Sequence, residues 1–212
     1  MSPDKSWLHH SLPPPPYALF PGCETAPTKA YAVLGGGSHL CVSGEGVGTY
    51  CFDTTTREWT RAGDWMLPFY GKAEHVPELG IWFGVADYRH DYAPSASDLS
   101  PALRGEEPEL CCVGKNHYPP GWELVGDTQI VTLGSGRICT LDFVVTMDNN
   151  ALDYGGNPAI DDSFAVLRGL ELLPRGHGDK QPANNGNGKF RMINHKSMVY
   201  RPHGGNWLEA VL

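Results

Sequence analysis

The sequence has no apolar run of about 18 residues, so it offers no candidate membrane-spanning helix. Its opening residues, MSPDKSWLHH, lack the apolar stretch of a secretory signal. No N-x-[ST] sequon and no C-x-x-C pair occur, which removes glycosylation acceptors and the commonest zinc-ribbon and dithiol motifs. Charge is sparse at 19% of residues, with 16 Lys and Arg scattered against 24 Asp and Glu. A net charge of −8 without a basic cluster excludes a general nucleic-acid binder and reads as a solvating acidic surface.

Catalytic and ligand-binding signatures are missing as well. Nine histidines are spread along the chain with no H-E-x-x-H or H-x-H pair, so no metal is expected. Asp148, Asp153, Asp161 and Asp162 lack the frame of a calcium loop. The glycine turns GEGVG (44–48) and GSG (134–136) carry no P-loop lysine, and no G-x-S-x-G elbow exists. These residues predict no catalytic site and no cofactor.

What the chain does contain is glycine (26) and proline (18), a composition suited to many short strands joined by tight turns. Residues 1–30 are proline-rich, with Pro13 to Pro16 predicting a polyproline II arm that leads into the first strand without forming a domain. Hairpin patterns follow in YAVLGGG/HLCVSG, TYCFD/REWTRAG and KAEHVPELGIWFGVAD, the last turning at Pro77 to Gly80. ELCCVGKN and GWELVGD read as the next pair, and IVTLGSGRICTLDFVV turns at Gly134 to Gly136. FAVLRGLELLP and FRMINHKSMVYR read as the closing strands. Residues 88–108, 148–163 and 175–189, rich in Pro, Ser, Asn, Asp or Gly, predict loops. The six cysteines, Cys23, Cys41, Cys51, Cys111, Cys112 and Cys139, lie mostly in apolar surroundings and predict reduced core thiols in an intracellular, cytoplasmic or nuclear chain.

One frame is written twice. Trp59 is followed by Gly63 and Asp64, and Trp122 by Gly126 and Asp127, giving W-x-x-x-G-D in both places. Trp7, Trp59 and Trp122 recur at intervals close to the length of a four-stranded propeller blade with its loops. Gly35 and Gly36, then Tyr50, Asp53 and Trp59, follow the order of a kelch blade. On that reading the glycines turn where blades crowd the axis, and Tyr50 and Trp59 fill the wedge between sheets, buried beside each other. Asp53 would brace its own turn, and the repeated frame would mark the same corner of consecutive blades.

The segments LPPPPY, YAVLGGG, GTYCFDTTTREWTRAGDWMLPFYGKAEHVPELGIWFG, LGSGRICTLDF, FAVLRGLELLP and FRMINHKSMVYR together resemble the DUF1668 family. The resemblance covers the chain from residue 7 onward and is most specific over 48–84. It implies a kelch-like protein of grasses, here a shortened member, and supplies no catalytic residues to transfer.

The sequence therefore predicts an all-β fold of antiparallel sheets with little or no helix, a partial kelch-like propeller of about three blades. Blade-like units are expected at about 31–65, 66–127 and 128–212. The expected function is a non-catalytic protein-interaction scaffold with an unidentified protein partner, no nucleic acid and no membrane. The alternatives are an enzyme or small-ligand binder using a propeller channel, or a truncated, non-functional paralogue. Too few blades to close a ring would leave apolar faces open to self-association, and the arm at 12–17 is expected to be too short and stiff to cover one.

Overall fold

The computed structural model describes residues 11–20, 26–115, 118–152, 155–175 and 189–201. Its elements are strands joined by turns and short 3-10 segments, and the strand pairing is antiparallel apart from one short seam that joins the first two meanders into an eight-stranded sheet. No helix among the described residues is long and apolar enough to cross a membrane.

Three strand meanders follow one another. The first comprises β1 (Thr28–Leu34), β2 (His39–Gly44), β3 (Gly48–Asp53) and β4 (Glu58–Gly63). The second comprises β5 (Tyr70–Val76), β6 (Ile81–Val85), β7 (Pro94–Ser97) and β8 (Leu110–Val113). They join through a short parallel seam between β1 and β5, from Ala30 opposite Gly71 to Ala32 opposite Ala73. The third sheet is β10 (Gln129–Gly134), β11 (Arg137–Leu152), β12 (Pro158–Pro174) and β13 (Phe190–Tyr200), with β9 (Trp122–Leu124) pairing with β11.

Strand alternation directs the packing. Ala30, Ala32, Leu34, Cys41 and Cys51 face the second meander and meet Phe69, Ala73, Trp82 and Leu99. The next layer is built from Val76, Ile81, Phe83 and Cys112 against Ile138, Leu170 and Leu172 of the third sheet. Strand β10 lies along β5, and β13 packs near β8. The order of layers is thus first, second, third, and no described hydrophobic cluster joins the first to the third.

The strands depart from the sequence pattern at several places. The 88–108 stretch contains β7, whose Pro94, Ser95, Ala96 and Ser97 are all buried. Small side chains allow that strand to sit between β6 and β8, and proline is tolerated at its first position. The segments at 110–113 and 122–124 do not pair; β8 pairs with β7 and β9 with β11. Most of 148–163 continues the long β11 and β12 hairpin, where cross-strand pairing overrides the polar composition. In the 175–189 stretch, residues 176–188 lie outside the described residues, as does Cys23.

Cys41 and Cys51 are joined by a disulfide, against the expectation of reduced thiols. They stand opposite each other on β2 and β3, with Cα atoms 4.0 Å apart. The turn that pairs Gly44 with Gly48 sets this register, because the two cysteines are equally far from it in sequence. That symmetry was the readable signal.

Candidate interaction surfaces

The residues of the repeated frame are dispersed. Trp59 lies on β4, the outer strand of the first sheet, half-buried and opposite Phe52, with the ring centroids 5.1 Å apart. Tyr50 is buried on β3 and belongs to the same cluster as Trp59, but its cross-strand partner is Arg61. Trp122, by contrast, lies on β9, paired into the third sheet, and meets Phe164 edge-on at 4.6 Å. The frame therefore does not mark one corner of two equivalent sheets. What the two copies share is local: each ends in a Gly-Asp that lies between one strand and the next, β4 and β5 or β9 and β10.

Gly63 is held by a close approach, since a Cβ there would enter the Trp65 indole. Asp64 is exposed and pairs with Arg61, while Asp127 lies against Gly71 at the start of β5. Gly35 and Gly36, with Gly37, form the β1–β2 turn at φ values of 59°, 65° and 103°. A Cβ on Gly36 or Gly37 would meet nothing within 4 Å, so positive φ, not crowding at an axis, selects glycine. Asp53 braces its turn by accepting hydrogen bonds from the Thr55 and Thr56 amides at 2.7 and 3.3 Å. The Thr55 amide chiefly holds its carboxyl below the usual range.

Gly126 lines a cleft of about 200 Å³ together with Tyr70, Val85, Tyr92, Leu124 and Thr128. The cleft opens where β5 and β10 begin, and the Tyr70 and Tyr92 rings meet edge-on across 5.5 Å. Behind Thr128 lies a buried charged residue, Asp142. Thr128 donates to Asp142 Oδ1 at 2.6 Å, and Arg168 reaches Oδ2 of the same carboxylate at 2.9 Å. The Asp142 side chain is 0% exposed. The Arg168 guanidinium also covers the Tyr118 ring at 4.8 Å. Burial first, then the Asp142 charge, pushes the Tyr118 hydroxyl far above the usual tyrosine range. That hydroxyl is buried with no hydrogen-bond partner among the described residues. Sequence reasoning missed this centre, although each strand showed a lone charge within an apolar run, LDFVV and FAVLRGL. Two such charges of opposite sign are expected to pair when buried.

Two sheet faces differ in cover. On the outer face of the first sheet, Tyr17 from the proline-rich arm is buried against Val42, Val47 and Tyr50. The arm at 12–17, expected to be too short and stiff to cover an apolar face, thus covers part of this one, with Tyr31 and Val33 left exposed. On the outer face of the third sheet, Val131 and Leu133 of β10 are 56% and 64% exposed. No three His, Cys, Asp or Glu side chains among the described residues gather as metal ligands.

A family model described as a protein of unknown function, DUF1668, matches residues 2–200. The chain belongs to the DUF1668 family. No curated protein and no solved structure matches this DUF1668 chain.

Proposed function

We propose that this chain is a non-catalytic protein-interaction scaffold whose three stacked sheets are blades of a kelch-like propeller. The observation that supports it best is the outer face of the third sheet. That sheet packs on the second through Ile138, Leu170 and Leu172. Its other face leaves Val131 and Leu133 in water on neighbouring same-side positions of β10. This solvated aliphatic pair is the part of that face that a protein partner would cover. The partner is an unidentified protein or a second copy of the chain, and neither nucleic acid nor membrane enters the proposal. An intracellular location belongs to this reading too; the unpaired Cys111, Cys112 and Cys139 support it and the Cys41–Cys51 disulfide opposes it.

The test compares the wild-type chain with Val131→Glu/Leu133→Glu, whose changed side chains are exposed and leave the core intact. Affinity capture read by mass spectrometry, with light scattering on the purified proteins, is expected to lose partners or self-association in the variant. An unchanged set of partners and an unchanged mass would overturn this surface. A second reading, small-ligand binding, draws on the Tyr70–Tyr92 cleft, where two rings and the Thr128 hydroxyl line a concave site. Tyr92→Ala with a ligand-induced melting shift as readout separates it from the first.

A further inference from the structure

The arm that precedes β1 makes a specific contact. Pro15 has φ −57° and ψ 143°, the polyproline II conformation, and a 3-10 turn, Pro16–Leu19, follows. Tyr17 enters the outer face of the first sheet and stands 5.5 Å from the Tyr50 ring. Its hydroxyl lies 3.1 Å from the Thr28 hydroxyl. At the other end of the arm, the Trp59 indole N–H donates to the Pro13 carbonyl at 3.0 Å. A proline-rich helix has no internal hydrogen bonds, so its carbonyls are free to accept, and aromatic grooves bind it by donating to them between flat rings. Trp59 and Tyr50 supply that chemistry.

We propose that this face is a polyproline-recognition groove, occupied in cis by Leu12–Tyr17 and able to take a proline-rich, tyrosine-bearing peptide in trans. The cis contact is built to exchange. Pro13 and Pro14 are exposed, the Trp59 bond is open to solvent, and Tyr17 alone is buried along the arm. The groove is also longer than its occupant. Tyr31 and Val33 share the face, opposite Val42 and Leu40, and remain exposed beyond the arm. A partner segment extending over β1 would gain contacts that the arm does not make. Tethering gives the arm an effective concentration in the millimolar range, which sets the competition a partner must win. This surface lies on the first sheet and does not depend on the Val131–Leu133 face.

A labelled synthetic peptide, SLPPPPYALF, is titrated into the full chain and followed by fluorescence anisotropy. The recipient is the wild type or Pro13→Gly/Pro14→Gly, which loosens the arm without touching a buried side chain. The loosened variant is expected to bind the peptide about tenfold more tightly than the wild type, because the competing tether is weakened. The same peptide with its tyrosine replaced by alanine is expected to lose about tenfold or more in affinity. Near-ultraviolet circular dichroism confirms that each protein keeps its fold. If Pro13→Gly/Pro14→Gly does not fold, Leu12→Gly, also exposed, serves as the loosened arm. No binding to a folded, loosened variant would overturn the proposal. Equal binding of the tyrosine and alanine peptides would overturn it as well.

Discussion

The first and third sheets carry the same W-x-x-x-G-D frame and stabilise themselves in different ways. The first has strands of six or seven residues, apolar contacts on both faces and a covalent bond across its central hairpin. One face rests on the second sheet and the other is capped by Tyr17. The third runs to 16 and 17 residues in β11 and β12, covers one face at its near end, and anchors its middle with the Asp142–Arg168 pair. The repeated frame thus records a local need, a link from one strand to the next, and not an equivalent position in two sheets. Local chemistry repeats more readily than packing does.

The largest effect is expected at the anchor of the third sheet. Arg168→Met leaves the fully buried Asp142 carboxylate with the Thr128 hydroxyl as its side-chain hydrogen-bond partner among the described residues and should cost about 3–5 kcal/mol in urea unfolding. A loss below about 1 kcal/mol would mean that the third sheet does not depend on this pair. The first sheet has the covalent counterpart. Reducing Cys41–Cys51 reopens a short loop and should lower stability by about 2–3 kcal/mol, read as the melting shift with and without reductant. Cys139→Ser in the third sheet should leave that shift unchanged, since Cys139 is unpaired.

Trp59→Ala sharpens the contrast further. The ring is half-buried on an outer strand, so the expected cost is about 1–2 kcal/mol, below that of a fully enclosed aromatic such as Phe52. Comparing Trp59→Ala with Phe52→Ala in chemical denaturation checks this, and equal losses would place Trp59 deeper than its strand allows.

The smallest effect is a pH dependence at the second sheet. Burial pushes the Cys112 thiol up to about 11. The unfolded chain releases this proton at lower pH than the folded chain does. The stability contribution is therefore complete below about pH 8.5 and declines as the pH rises toward 11. Melting curves from pH 8 to 10.5 should show a decline that Cys112→Ala reduces.

Much of the strand plan was legible because hairpins announce themselves locally. The turns at Pro77 to Gly80 and Gly134 to Gly136 fall between the strands that the sequence alternation delimits. Asp53 braces its turn with bonds to amides two and three residues away, an interaction that needs nothing from the rest of the chain. The 94–97 strand was hidden because Pro94, Ser95 and Ser97 are loop residues by composition, and only the gap between β6 and β8 makes them a strand. The candidate surfaces were least legible, since exposure of Val131 or burial of Tyr17 depends on what covers a face.

By itself, then, the sequence determined the all-β character, the positive-φ glycine turn at 35–37 and the spacing that sets Cys41 opposite Cys51. All three depend on interactions within a single hairpin or turn. The tertiary structure alone decided that β9 leaves its sequence neighbour for β11, that Asp142 meets Arg168, and that the arm lies on the first sheet through Tyr17 and Trp59. Those contacts join residues 20 to 46 positions apart, and their partners are chosen by which apolar faces the stacked sheets leave open.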